Sequence, residues 1–124
     1  MMGVTVQTTD LSGVPVLFLT SAPGLGEAAD LVGSALEVGA RWIALSAAGL
    51  PEGFLDLSSG VAGEIAQKCV NYRIGLAVLG DIRPAMERSG ALRDWVRECN
   101  NGGQVWFLAD DAELAARLAG RGEA

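Results

Sequence analysis

The side chains that could perform chemistry in this sequence do not include histidine. Histidine is the usual proton shuttle at neutral pH and a common metal ligand, so Ser-His-Asp catalysis, Cys-His catalysis and histidine-based zinc sites are excluded within one chain. The remaining reactive groups are hydroxyls, carboxylates, two thiols, one tyrosine (Tyr72) and one lysine (Lys68). We therefore expect no catalytic residue, no cofactor and no metal site.

Two adjacent serines, Ser58 and Ser59, stand where the sequence predicts the amino terminus of a helix. Free backbone N–H groups and the helix dipole favour an anion at such a position, so a phosphate there would be tolerated and would add a charge of about −2 to the surface. Both serines are therefore phospho-acceptor candidates, with Ser58 as the favoured hypothesis. The alternative is that one of them is an ordinary N-cap, which stabilises a helix by about 1 kcal/mol.

Three polar residues of the same predicted helix, Glu64, Lys68 and Asn71, share one face because they stand at i, i+4 and i+7. Two interpretations stay open. The face is either solvated, with a Glu-to-Lys pair contributing about 0.2–0.5 kcal/mol, or a polar binding patch beside the serines. The opposite face is predicted to be buried and comprises Val61, Ile65, Cys69 and Tyr72.

Asp81 comes directly after an apolar run bounded by glycine, which is typical of a buried parallel strand. Ligands bind at the carboxyl ends of strands in open parallel sheets, so Asp81 is a candidate ligand contact. The alternative is that it caps the next helix or turn. The full set of candidate partner- or ligand-binding residues is Asp56, Gly60, Glu64, Lys68, Asn71 and Asp81.

Charge and cysteine usage restrict the partners and the compartment. Nine basic against 15 acidic residues give a net charge of −6, which repels a phosphate backbone, so we expect no nucleic-acid partner. Cys69 and Cys99 lack any metal-ligand or CxxC spacing, so we expect reduced, buried thiols and a cytoplasmic protein. No apolar stretch approaches the roughly 20 residues of a membrane span and no leader pattern is recognised, so we expect no membrane partner.

Hydrophobic periodicity predicts one α/β domain over residues 1–124. Its order, β-β-α-β-α-β-α-β-α, implies right-handed crossovers and a mostly parallel sheet, with an N-terminal hairpin supplying an antiparallel edge strand. The hairpin turn is expected at 10–13. The strands are expected at 4–8, 14–20, 42–46, 74–80 and 104–109, and the helices at 25–38, 59–72, around 92–99 and from 110 onward.

Several runs of this sequence match a known family pattern. Residues 54–81 read FLDLSSGVAGEIAQKCVNYRIGLAVLGD, residues 91–100 read ALRDWVRECN, and residues 104–107 read QVWF. Together they resemble the bacterial domain-of-unknown-function family 4180 over nearly the whole chain. The resemblance implies no activity.

The element order also resembles the STAS domain of anti-sigma factor antagonists. In those small cytoplasmic proteins the helix after the third strand carries an Asp-Ser-Ser-Gly motif, and a partner kinase phosphorylates one motif serine to switch binding. Here DLSSG at 56–60 occupies that place, with Leu57 between the aspartate and the serines. The resemblance implies a STAS-like fold and a phosphorylation switch.

Together these observations predict a non-catalytic regulatory module of the bacterial cytoplasm that binds a protein partner. The apolar fraction, 50%, is high for so short a chain, so a homodimer is a further expectation. Trp106 is assigned to the core, or to an interface if its strand is the sheet edge. The alternative function is an enzyme or small-ligand-binding protein with Glu64, Lys68 and Asp81 in a cleft at the strand ends.

Overall fold

The computed structural model describes residues 6–19, 28–50 and 53–120, and they form a mixed α/β fold around one five-stranded sheet. The strands are β1 (Val6–Leu11), β2 (Val14–Leu19), β3 (Trp42–Ser46), β4 (Gly75–Leu79) and β5 (Val105–Leu108). The helices are α1 (Ala28–Val38), α2 (Val61–Asn71), α3 (Arg83–Arg88), α4 (Gly90–Asn101) and α5 (Asp111–Gly120). The parts of the predicted elements at 4–5, 20 and 25–27 lie outside the described residues.

The strand order in the sheet follows the chain, from β1 to β5. Strands β1 and β2 are antiparallel, and every later pair is parallel. The predicted α/β class, the mostly parallel sheet and the N-terminal hairpin at the edge are thus confirmed.

The hairpin turn is tighter than the sequence predicts. Leu11 pairs with Val14, so only Ser12 and Gly13 form the turn, with φ of 54° and 84°. Positive φ at both central residues is the mark of a type I′ turn, whose twist matches that of the strands. The predicted turn residues Asp10 and Leu11 therefore belong to β1.

Helices cover the two faces of the sheet unequally. Since neighbouring parallel strands are joined in sequence by right-handed crossovers, α1, α2, α3 and α4 lie on one face. There Ile65 of α2 and Leu92 of α4 pack with strand residues such as Ile43 in one core cluster. Among the described helices α5 alone covers the opposite face, where Leu114 and Leu118 pack against the sheet.

On that opposite face, two indole rings and one guanidinium group form a stack. The indole rings of Trp42 on β3 and Trp106 on β5 lie 4.4 Å apart between centroids. Gly75 on β4 pairs with Trp42 and leaves room for its ring, and Arg117 of α5 lies 4.3 Å from the centroid of Trp106. Trp106 is 1% exposed, so its predicted place in the core is confirmed and its alternative role as an interface anchor at the sheet edge is wrong.

Helix α2 ends before Tyr72, which corrects the predicted inward face of that helix. Tyr72 is the C-cap, with φ −102° and ψ 9°, and its side chain is 52% exposed. The N–H of Arg73, at φ 61°, donates to the carbonyl of Val70, and the N–H of Ile74 donates to the carbonyl of Cys69. This is a Schellman ending, so the helical spacing that predicted a buried Tyr72 no longer applies there.

The single helix predicted around 92–99 has a second, shorter helix before it. Pro84 lies in the first turn of α3, where a missing N–H costs nothing, and α3 ends at Arg88. Ser89 is extended, and its Oγ accepts a hydrogen bond from the N–H of Leu92 at 3.1 Å. That N-cap begins α4 as a separate helix.

The cysteine prediction is confirmed for Cys69, which is a free thiol without solvent exposure, and in part for Cys99, which is free and half-buried. Burial raises the pKa of each thiol to about 11. The described helices include none that is both long and apolar enough to cross a membrane.

Candidate functional site

The candidate site begins at the segment before α2, residues 53–60, which we call the serine turn. Within it the Asp56 carboxylate accepts hydrogen bonds from the N–H of Ser58 at 3.1 Å and from the Ser58 hydroxyl at 2.7 Å. Asp56 thereby caps a single 3-10 turn over Leu57–Ser59. Asp56 and Ser58 are both exposed, so this pair lies on the surface at the start of α2.

Ser59 makes different hydrogen bonds from those of Ser58. Its Oγ donates to the carbonyl oxygen of Gly53 at 2.7 Å and accepts from the N–H of Val61 at 3.1 Å. Gly60 follows at φ 82°, a left-handed conformation that favours glycine, and leads directly into α2. The N-cap of α2 is Gly60, which makes no side-chain cap hydrogen bond, so the prediction that one of the serines is the N-cap is wrong; Ser59 holds the helix start from the position before the cap.

The Ser58 hydroxyl has a single hydrogen-bond partner among the described residues, the carboxylate of Asp56. A phosphate on Ser58 would remove that O–H donor and would place about two negative charges beside the Asp56 carboxylate. Like charges at hydrogen-bonding distance repel, so the turn would have to rearrange. Ser58 thus stands where a phosphate would change the local structure, and its role as phospho-acceptor stays a prediction.

The polar face of α2 is spread along the helix. At 1.5 Å per residue, Lys68 lies about 10 Å and Asn71 about 15 Å along the axis from Val61. Of the three polar residues, Glu64 is thus the one nearest the serine turn. No ion pair joins Glu64 to Lys68 in the described part of the chain, where the ion pairs are Asp81–Arg83 and Asp94–Arg97. The Asn71 side-chain oxygen accepts from Gln67 at 3.0 Å, so its partner is another amide of the same helix.

Asp81 follows the carboxyl end of β4, as the sequence predicts, and is bound to Arg83. The two carboxylate oxygens accept from Nε at 2.9 Å and from Nη2 at 3.1 Å, and one of them also accepts from the backbone N–H of Arg83 at 3.0 Å. These hydrogen bonds lower the pKa of the Asp81 carboxyl to about 2, with the side-chain bond as the largest cause. Asp81 is therefore ionised at neutral pH and cannot serve there as a general acid.

Two open cavities lie at this end of the molecule. One, of about 420 Å³, opens beside the carboxyl ends of β4 and β5; its lining includes Asp81, Arg83, Met86, Asn100 and Phe107. The other, of about 400 Å³, lies between the serine turn and the junction of α3 with α4; its lining comprises Gly53, Leu55, Asp56, Leu57, Ala85, Arg88 and Ser89. Neither cavity is lined by Glu64 or Lys68, so the structure does not gather the carboxylate and lysine of the enzyme alternative around either of them.

Two arginines that are not among the candidate site residues given above, Arg83 and Arg88, contribute to these cavities. Arg83 stands two residues after Asp81, and this local spacing could have indicated the pair. Arg88 and Asp56 both line the second cavity, and they stand too far apart in the chain for a local pattern to connect them. Groups of three or more side chains suited to a metal ion do not occur within the described ranges.

Comparison with known proteins places the chain in a family. The family model described as Domain of unknown function (DUF4180) matches residues 22–118, and the chain belongs to that family. The matched region begins after β2 and therefore contains the serine turn, Asp81 and both cavities but not the N-terminal hairpin. Neither the curated proteins nor the solved structures gave a match.

Proposed function

We propose that this protein is a non-catalytic regulatory module that binds a protein partner through the serine turn and the adjoining face of α2. The observation that carries the proposal is the exposed hydrogen bond between Ser58 and Asp56, beside a second serine that is already committed to the helix start. The proposed surface comprises Asp56, Ser58, Gly60, Glu64, Lys68, Asn71 and Asp81.

The switch we propose is phosphorylation of Ser58 by a partner kinase. The phosphate would break the bond to Asp56, because the new group has no proton to donate when ionised and repels the carboxylate. Arg88, which lines the same cavity as Asp56, supplies a cation to which the displaced anion can turn. A surface that changes both its charge and its shape can bind one partner in one state and release it in the other.

Further features of the proposal come from the sequence. We propose that the module is of STAS-like type, that it is located in the bacterial cytoplasm and that it forms a homodimer. The serine turn supports the STAS-like type, since DLSSG at 56–60 does stand at the start of the helix that follows the third strand.

The switch is tested by intact-mass measurement after incubation with ATP and a bacterial lysate containing kinases. The wild-type protein is expected to gain the mass of one phosphate, and Ser58→Ala is expected to gain none. Ser59→Ala, which keeps the Ser58 hydroxyl, is the matched control and should still be modified. An unmodified wild type, or a phosphorylated Ser58→Ala protein, would contradict the switch.

Binding of a small ligand is a second candidate function, and the cavity beside the carboxyl ends of β4 and β5 favours it. Its volume, about 420 Å³, falls within the range of small-molecule sites, and apolar side chains such as Met86 and Phe107 line it around the polar Asp81 and Arg83. Asp81 and Arg83, the charged groups at this cavity, already bind each other, whereas Glu64 and Lys68 of the proposed surface form no ion pair with each other. The protein-binding function is therefore the better supported of the two.

A further inference from the structure

The two edge strands of the sheet, β1 and β5, differ in whether their outward-facing backbone groups have hydrogen-bond partners. In β5 those of Phe107 do. The carbonyl oxygens of Gln104, just before β5, and of Leu108 accept hydrogen bonds from the N–H groups of Leu76 and Gly80, so the backbone groups of Phe107 point away from the sheet. The Asn100 side chain binds both of them: its oxygen accepts from the N–H at 2.7 Å and its nitrogen donates to the carbonyl at 3.2 Å. A side-chain amide thus takes the place that a neighbouring strand would occupy.

The other edge, β1, is open over the part of the chain that the structure describes. A two-residue hairpin turn closes on a hydrogen-bonded pair, here Leu11 with Val14, so the backbone groups of alternate residues back from Leu11 face β2. The backbone groups of Val6, Thr8 and Asp10 therefore face outward. No described residue outside the hairpin hydrogen-bonds to them.

Strand β1 has a single charged residue, Asp10, to protect its edge. It has six residues, VQTTDL, without lysine, proline or a bulge, and it is paired with β2 along its whole length. Thr8 and Thr9 are exposed and β-branched, which suits them to a sheet. Such an edge is a template for one more strand.

We propose that the added strand is β1 of a second copy of this chain, paired antiparallel about a two-fold axis at Thr8. Outward-facing residues must pair with outward-facing residues, and only an axis at Thr8 engages all three of them, Thr8 with itself and Val6 with Asp10 of the second copy. Asp10, the single charged residue of β1, then lies opposite Val6 of the second copy and not opposite the Asp10 of the second copy. A ten-stranded sheet across two copies would result.

This inference deepens the homodimer part of the proposed function and does not depend on the serine turn. The edge strand precedes the region matched by the family, so the surface comes from the hairpin that this chain places before the matched region. Failure of the dimer would leave the recognition surface intact, and loss of recognition would leave the dimer intact.

The test is sedimentation equilibrium of charge variants at Thr8. The wild-type chain is expected to be a dimer. Thr8→Lys and Thr8→Glu each place like charges opposite one another at the axis and are expected to raise the dissociation constant by at least about tenfold. An equimolar mixture of the two variants places opposite charges there and is expected to restore the dimer.

Thr9→Lys is the matched control, because it adds the same charge to the same exposed strand at a residue that lies opposite Gln7 and not opposite itself. It is expected to remain dimeric. Circular dichroism checks that every variant is folded. A monomeric wild type, a mixture of variants that stays monomeric, or a Thr9→Lys protein that dissociates as Thr8→Lys does would each overturn the proposal.

Discussion

Ser58 and Ser59 are identical side chains in adjacent positions with different consequences for the fold. The Ser59 hydroxyl joins the loop at Gly53 to the first N–H of α2, so it uses both its donor and its acceptor capacity in holding the helix start. The Ser58 hydroxyl reaches only the exposed carboxylate of Asp56. Ser59 therefore holds the helix start, whereas Ser58 contacts an exposed side chain of its own turn.

Alanine substitutions separate these two roles. Ser59→Ala is expected to lower the free energy of unfolding by about 1 kcal/mol, because it removes the hydrogen bonds of the Ser59 hydroxyl with Gly53 and Val61. Ser58→Ala is expected to change it by less than about 0.5 kcal/mol, as for a surface residue. Urea denaturation of the two variants and the wild type measures the difference. Equal losses, or a larger loss for Ser58→Ala, would contradict the conclusion that Ser59 holds the start of α2.

The sheet is held on the α5 face by a contact across three strands. The ring of Trp42 lies over β4 to reach Trp106, and this is possible only because position 75 has no side chain. A Cβ built on Gly75 would lie 2.2–2.6 Å from three ring atoms of Trp42. The strand pairing of β3 with β4 and the indole stack therefore depend on the same glycine.

Two glycine-to-alanine substitutions test this dependence. Gly75→Ala is expected to destabilise the protein by about 1–3 kcal/mol, because the indole must leave its position in a filled core. Gly63→Ala is the matched control. Gly63 lies within α2, is exposed and has open space at its Cβ, so alanine should stabilise the helix by about 0.5–1 kcal/mol. If the stack is as described, thermal and urea unfolding will show a lower free energy of unfolding for Gly75→Ala and a higher one for Gly63→Ala. An unchanged free energy of unfolding for Gly75→Ala would contradict the stack.

Elements defined by local patterns could be predicted from the sequence, and elements defined by their ends could not. Strand β3 has the predicted bounds, since Trp42–Ser46 is a short apolar run between two breaks. The separate helix α3 was missed because its end depends on the extended backbone of Ser89, which the helical spacing of the apolar residues does not report. Tyr72 was misplaced because periodicity does not report where a helix stops.

In the candidate site, too, what local sequence determines could be predicted, and what tertiary packing determines could not. Asp56, Ser58 and Ser59 are neighbours in the chain, so their grouping at the start of α2 followed from sequence. Arg88 lines the same cavity as the serine turn only in the folded chain, which is a tertiary property. Lys68 was expected beside Asp81, but the length of α2 carries it toward the other end of the helix.

The whole molecule keeps its proposed surfaces apart. Because the strands follow one another in sequence, the crossover helices share one face and the opposite face is left to α5. The serine turn lies at the carboxyl ends of the strands in the middle of the sheet, while β1 forms a lateral edge. A second copy at β1 and a protein partner at the serine turn can therefore bind to the same molecule.

The central claim, that the serine turn and the α2 face recognise a protein, is tested most directly by quantitative affinity capture from bacterial cytoplasm. Four baits are compared: wild type, Ser58→Glu, Lys68→Ala and the control Ala116→Glu, which adds the same charge at an exposed position of α5 on the opposite face. We expect the wild type and Ala116→Glu to recover the same partner. Recovery by Ser58→Glu and Lys68→Ala should change by about tenfold, the effect of a contact contributing about 1.4 kcal/mol. Recovery of the same proteins by all four baits, or of none by the wild type, would contradict the claim.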